Sequence, residues 1–226
     1  MSDEAKNEIL RNIRSALNNV PDDEQIGDIN VPRSYHQKGE LAQKELVKLF
    51  IERVGEYRAT VSRVREDQLI DVISKSCQRE EVQKLVIPEG FPHQWLPDDI
   101  DPMWDRSEKQ LTHQELDSSD GVISTCALAV AQTGTIILDA GKGQGRRALS
   151  LLPDYHLCIV RQSQVVELVP EGFAHFDEKV KNEGPPITFI SGPSATSDIE
   201  LSRVEGVHGP RRLEILVVTE EQDSVK

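Results

Sequence analysis

The sequence predicts an α/β fold, a mixed and mostly parallel sheet with helices on both faces, plus an N-terminal helical extension. Three observations carry that prediction. Short apolar runs rich in Val and Ile alternate with segments of helical periodicity from about residue 40 onward, and strands separated by helices favour a largely parallel sheet. The segment AVAQTGTIIL places two such runs close enough for one tight hairpin, which makes the sheet mixed. Residues 3–17 carry Ile9, Ile13, Ala16 and Leu17 on one helical face, the spacing of an amphipathic helix.

Each element follows in order. After the first helix, NNVPDDEQIGDINVPRSY holds two prolines, a glycine and an acidic cluster, the composition of a linker. The chain therefore divides into an N-terminal helix and linker (1–38) and an α/β domain (39–226). Leu41, Glu45, Leu46, Leu49, Phe50 and Val54 fit an amphipathic helix, ATVSRV a short strand, and Leu69, Ile70, Val72 and Ile73 a second helix. KLVIPEG reads as an apolar strand closed by a turn. Residues 91–110, with three prolines and two tryptophans, read as a long irregular connection. Further strands are expected at GVISTCALAVA, TIILDA, HLCIVR, ITFIS and RLEILVVT, with a helix between Gly172 and Asn182. Residues 87–93 (IPEGFPH) echo 169–175 (VPEGFAH). Proline fixing φ and glycine supplying a turn at two similar corners accounts for the echo, leaving His93 and His175 as turn or surface residues.

Composition narrows the function. The formal net charge is −13; phosphate backbones are held by Lys and Arg, and an acidic surface repels nucleic acid. No apolar run reaches the ~20 residues of a membrane span, and the charged N-terminus lacks a secretory signal, so a cytoplasmic protein is expected. Cys77, Cys126 and Cys158 lie far apart in the chain. Without a CxxC or Cys–His spacing, neither zinc nor an iron–sulfur cluster finds its ligands, and no cofactor or metal is expected. Cys126 and Cys158, inside apolar runs, read as buried small hydrophobes.

Three loops offer places for chemistry. The first holds Thr133, Gly134 and Thr135, then GKGQGRR with Gly141, Lys142, Gly143, Gly145, Arg146 and Arg147. Glycines that admit a ligand to the backbone, beside cations, suit a phosphate or carboxylate. The pattern is neither a P-loop nor a dinucleotide fingerprint, and a surface turn accounts for it equally. The second holds Ser191, Gly192, Ser194 and Thr196, ahead of Ser197 and Glu200 at capping-box spacing. The third is GVHGPRR, with His208 and Arg211. His208 is the weak candidate for proton transfer, but no partner is visible and a structural turn histidine reads as well. No nucleophile–base pair, carboxylate dyad or catalytic constellation emerges, so whether the chain is an enzyme stays open. All three loops are expected to follow strands and to converge at one sheet rim in a common anion pocket.

AVAQTGTIIL, GKGQGRRALSLLPDYHLCIV, ISGPSATSDIE and GVHGPRRLEILVV, in this order, resemble the LutC/YkgG family of lactate utilisation proteins (LUD domain). The resemblance covers roughly residues 40–220. It implies a fold similar to the sugar-phosphate isomerase, CoA-transferase and formyltetrahydrofolate cyclo-ligase group. It also implies a non-redox component of a multi-protein system that oxidises L-lactate to pyruvate. The iron–sulfur clusters then belong to partner subunits, and this chain binds a small carboxylate or phosphate. The alternative reading is a stand-alone cyclo-ligase-like or CoA-transferase-like enzyme acting on a phosphorylated or acyl substrate. One departure is Gln132, where the family commonly has Glu before Thr-Gly-Thr.

Overall fold

The computed structural model describes residues 3–18, 34–196, 204–205 and 209–219. The chain forms two units, residues 1–35 and 36–226. The first contributes helix α1 (Asp3–Ala16). The second contains helices α2 (Gln43–Glu56), α3 (Leu69–Arg79), α4 (His113–Asp117) and α5 (Val169–Glu183). Its strands are β1 (Thr60–Arg65), β2 (Lys84–Pro88), β3 (Asp101–Asp105), β4 (Gly121–Thr125), β5 (Leu128–Val130) and β6 (Thr135–Leu138). They continue with β7 (Tyr155–Arg161), β8 (Val165–Val166), β9 (Thr188–Ile190), β10 (Ala195–Thr196), β11 (Val204–Glu205) and β12 (Arg212–Thr219).

The expected α/β sheet has six strands in the order β1-β12-β7-β4-β2-β3, and every pairing in it is parallel. Strands buried on both faces read as continuous apolar runs, which is why HLCIV and EILVV carry no alternation. The two faces separate residue by residue along β7. Tyr155, Leu157 and Ile159 pack with Leu69, Ile73 and Cys77 of α3. Cys158 and Val160 pack with Leu46, Val47, Phe50 and Val54 of α2. Helices thus cover both faces. The antiparallel pairs fall in a separate four-stranded sheet, β8-β5-β6-β9, where β5 and β6 form the expected hairpin. A two-stranded ladder joins β10 to β11.

Several boundaries differ from the sequence reading. GVISTCALAVA is not one strand: β4 belongs to the parallel sheet and β5 to the smaller one, with buried Cys126 at the bend between them. The stretch read as irregular contains β3, which lies at the sheet edge, where a strand tolerates Pro102 because its missing N–H faces no neighbour. The echoed heptapeptides adopt different structures. IPEG ends β2 in a turn with Gly90 at φ +80°, whereas VPEG is the first turn of α5, with Pro170 in that turn. Proline's fixed φ suits a helix start as well as a corner. The capping-box pair Ser197 and Glu200 lies outside the described residues.

All six parallel strands point the same way, so the sheet has one carboxyl rim and one amino rim. At the carboxyl rim the chain leaving β2 turns to the α3 face, where Phe91 and Trp95 are buried. The chain leaving β4 turns to the opposite face, toward Cys126 and Ala129. Neighbouring strands whose exits diverge open a crevice, the place where open α/β sheets hold ligands.

Candidate functional site

Residues 141–145 fill the crevice between β2 and β4. The Gly143 N–H donates to the Glu89 carbonyl at 2.8 Å, and its own carbonyl accepts from the Thr125 N–H at 2.8 Å. Gly143 has φ +73°, and a Cβ there would lie 2.8 Å from the Thr125 hydroxyl oxygen, so only glycine threads the gap. The amides of Gly141, Gln144 and Gly145 are also engaged. Gly141 N–H donates to Asp139 Oδ1 at 3.0 Å, and the Gln144 N–H donates to the Gly141 carbonyl at 3.1 Å. Buried Gln144 accepts from the Asp139 N–H at 2.8 Å. Burial opposes ionisation of Asp139, but its hydrogen bond from Lys179 holds the carboxyl below its usual range. The glycines that suggested an anion nest therefore bind the loop to the sheet.

Above this plug lies a cavity of about 800 Å³ lined by Glu89, Gly90, Ser107, Gly141, Lys142, Gly145 and Arg146, with Asp105 and Gln110. Its charges are largely matched. Arg146 forms a two-pronged pair with Asp105, Nε to Oδ2 at 3.1 Å and Nη2 to Oδ1 at 3.0 Å, and it also donates to the Leu111 carbonyl. Glu89 accepts from the Ser107 hydroxyl and amide, which keeps its carboxyl below the usual range. Lys142 is exposed.

A second cavity, of about 230 Å³, opens at the amino rim, where β7 and β12 begin. It is lined by Arg147, Ser150 and His156, by Phe189 to Ser194, and by Gly209, Pro210 and Leu213. Here the charge is unmatched: among the described residues Arg147 has no carboxylate partner, and burial alone pushes its guanidinium below the usual range. Its Nη1 donates to Ser150 Oγ at 2.7 Å. Ser191 joins a chain of hydroxyls, with Thr135 Oγ1 at 2.7 Å from both Ser191 Oγ and Thr133 Oγ1. Ser194 N–H donates to the Pro210 carbonyl at 2.8 Å, fastening the second loop to the third.

The expected single pocket is thus two. Ser191, Gly192 and Ser194 meet the loop before β12 at the amino rim, with Thr133 and Thr135 behind them. Gly141, Lys142, Gly145 and Arg146 line the carboxyl-rim cavity. The reason is topological: 208–211 precedes its parallel strand, and 191–198 follows β9, which belongs to the other sheet. Gly134, at φ +57°, packs against the backbone of α2 at Arg53 and Val54 and lines neither cavity. Thr196 lies in β10, opposite Val204. Arg211 is exposed, 3.7 Å from Asp154. His208 lies outside the described residues. Gln132 is exposed, and its amide donates to the Glu167 carbonyl.

Sequence reasoning passed over His156. The side chain is 1% exposed, and its Nε2 lies 2.8 Å from Ser124 Oγ. Among the described residues its Nδ1 is the buried side-chain nitrogen or oxygen without a hydrogen-bond partner. Burial, with a smaller contribution from the Arg147 charge, pushes its pKa down to about 4, so the ring is neutral at pH 7. A titratable residue inside the apolar run HLCIV was the signal, because such positions are otherwise filled by hydrophobes. The three cysteines are free and buried. A hydrogen bond with the Cys158 thiol, and burial, push the Cys126 thiol well up; burial takes Cys77 to about 12. Neither of these two is a poised thiolate. Among the described residues no group of three or more His, Cys, Asp or Glu is arranged to hold a metal, and no helix is long and apolar enough to cross a membrane.

Comparison with known proteins places this geometry in a family. The model of the LUD domain matches residues 47–218, from α2 through nearly all of β12. A Lactate utilization protein C from Deinococcus radiodurans is 46% identical over 178 residues, 79% of this chain and 82% of that one. Another Lactate utilization protein C, from Halalkalibacterium halodurans, is 29% identical over 201 residues, 84% of this chain and 86% of that one. The crystal structure of a DUF162 family protein from Deinococcus radiodurans superposes with a TM-score of 0.69 at 40% identity, covering 80% of this chain and 100% of that one. The chain belongs to the LUD-domain family.

Proposed function

We propose that this protein takes part in lactate utilisation as a non-redox component of a multi-protein L-lactate oxidising system, and that it holds a small anion in its amino-rim cavity. The observation that carries the role is the likeness to proteins named Lactate utilization protein C over four-fifths of the chain. Support for a non-redox part comes from the cysteines, which are all buried and give a cluster no exposed thiol ligands, with burial raising the thiols of Cys77 and Cys126. Iron–sulfur chemistry then lies with partner subunits. Free thiols in contact, as Cys126 and Cys158 are, suit the reducing cytoplasm.

The anion seat rests on Arg147. A partly buried guanidinium that lacks a carboxylate partner among the described residues attracts a carboxylate or phosphate, and its fork of donors fits either. Ser150 and Ser191 add hydroxyls on the same cavity wall. At about 230 Å³ the cavity lies below the ~300–1,000 Å³ of drug-sized sites, which suits a metabolite of a few heavy atoms. A strain deleted for the gene is expected to lose growth on L-lactate and to regain it with the wild-type gene, while growth on glucose is unchanged. Affinity purification from lactate-grown cells is expected to bring along cysteine-rich iron–sulfur proteins. Normal growth of the deletion strain on lactate overturns the role.

A further inference from the structure

The amino-rim cavity opens beside a sheet edge. Among the described residues β9 is the last strand of the four-stranded sheet and pairs with β6 alone. One side of its backbone therefore presents hydrogen-bonding groups that no other strand meets. The chain leaving β9 at Ile190 runs into the cavity wall, where Ser191 to Ser194 share the lining with Arg147. Successive side chains of a strand alternate between its faces. Ile190 packs into the cluster formed with α2, and Phe189, opposite Ile137, belongs to the face that α5 covers. That cover is incomplete. Phe189 is 41% exposed, and its ring stacks on Phe173 of α5, itself 63% exposed, with centroids 5.4 Å apart. Large apolar side chains are ordinarily buried. An open edge, an exposed aromatic pair and a cation without a counter-charge thus lie along one strand and its exit. A small anion uses the cation alone. An extended peptide that ends in a carboxylate uses all three.

We infer that the edge of β9 receives the extended C-terminal tail of a partner protein, with the tail's terminal carboxylate on Arg147 in the amino-rim cavity. The inference rests on the anion seat proposed above and names what carries the anion, a peptide end. β9 runs toward the cavity, so a tail that ends there lies parallel to it. Strand addition gives affinity through main-chain bonds and selection through alternate side chains. With the terminal residue beside Ser191, the residue two before it lies beside Phe189, because one face recurs every second residue. An apolar side chain is selected at that position.

The test uses the full chain and a synthetic library of nine-residue peptides, randomised at the last four positions and made both with a free C-terminus and amidated. Free peptides with an apolar residue two before the end are expected to be enriched. Amidating the best of them is expected to weaken its binding roughly tenfold or more in calorimetry, the worth of one charge-assisted contact. Arg147→Ala is expected to cause a loss of the same size. Methylating every second backbone nitrogen of the peptide is expected to weaken binding roughly tenfold in one of the two registers and little in the other, as strand pairing demands. Phe189→Ser is expected to remove the apolar preference and keep the need for a carboxylate. Amidated peptides that bind as well as free ones overturn the inference. Acetate or inorganic phosphate that binds through Arg147, with no peptide enriched, also overturns it and leaves the anion seat standing. If neither peptide nor small anion binds to the wild-type chain, the seat falls too. A dimer in sedimentation that Phe189→Ser dissolves, with no peptide enriched, gives the edge to a second copy of the chain and overturns the inference. Amidation and methylation change the peptide alone, so a variant that fails to fold does not spare the inference.

Discussion

Arg146 and Arg147 are neighbours in the chain and serve opposite ends of the sheet. Arg146 grips Asp105 with two hydrogen bonds and turns the carboxyl-rim cavity into a balanced surface. Arg147, one residue on, leans into the amino-rim cavity, where among the described residues its guanidinium bonds to Ser150 alone. The larger cavity holds more charge and more glycine, yet its glycine amides and guanidinium are already committed. The smaller is lined by one cation that has no counter-charge among the described residues and by a buried imidazole. A site for an anion is marked by what is left unpaired, and a count of positive residues does not reveal that.

The sharpest way to break this comparison is Arg146→Ala. Asp105 is 6% exposed and Arg146 keeps 27% of its side-chain surface. Removing one partner of a buried pair costs about 3–5 kcal/mol because the other charge is stranded; the partial exposure of Arg146 puts the expected loss near the low end, ~3 kcal/mol. Asp105 also accepts from the Leu111 N–H, so the path from β3 into α4 loosens too. Urea unfolding reads the loss directly, and for a chain of this size it corresponds to a melting point lower by about 6–12 °C. An Arg146→Ala chain as stable as wild type would mean that the guanidinium is available to a ligand after all. Asp105→Asn, which keeps the shape and removes the charge, is expected to cost less.

Much of the fold was legible because the parallel strands are pure apolar runs and α2, α3 and α5 have clean periodicity. What escaped reading depends on partners distant in the chain. DPMWD shows no strand signal until its place at the sheet edge makes Pro102 harmless. GVISTCALAVA has no internal mark at Cys126 where it passes from one sheet to the other. The sites were half legible for the same reason: GKGQGRR displays its residues, but Glu89 and Asp105 consume its donors and Thr125 its carbonyl, from segments up to 54 residues earlier in the chain (143 against 89). His156 lay unnoticed because HLCIV names a strand and gives no hint that Ser124 stands beside it and a cavity below.

A smaller effect follows from the same imidazole. The folded-state pKa of His156 is about 4, against an ordinary ~6.5. Between those values the unfolded chain carries a proton that the native chain refuses, so stability rises with pH across that window. The contribution is complete above pH ~6.5 and is lost as pH falls toward 4. From pH 7.5 to pH 5 the expected loss from this group is about 2 kcal/mol. The lowered carboxyls of Glu89 and Asp139 act in the same direction, but below the ordinary carboxylate range. Denaturant unfolding at the two pH values, repeated on His156→Gln, isolates the histidine: the variant is expected to lose most of the difference. A slope unchanged by the substitution would place the titrating group elsewhere.

The smallest expected effect on stability belongs to Arg147→Ala, and it completes the contrast with Arg146. The residue is exposed as a whole, its side chain bonds among the described residues only to the serine three positions on, and it carries a guanidinium whose burial is unfavourable. Deleting it removes one donor's shared contact with Ser150 and relieves one desolvation, so unfolding free energy is expected to change by less than about 0.5 kcal/mol, as for ordinary surface substitutions. Its effect on binding runs the other way. A charge-assisted contact to a carboxylate is worth roughly 1.5–3 kcal/mol, so affinity for a small carboxylate is expected to fall at least tenfold, measured by calorimetry. Arg147→Lys restores the charge without the fork and is expected to recover part of that loss. The neighbouring pair therefore predicts a crossed pattern: Arg146→Ala unfolds at lower urea, whereas Arg147→Ala unfolds like wild type and binds weakly. A destabilised Arg147→Ala chain with normal affinity would reverse the roles assigned to the two arginines.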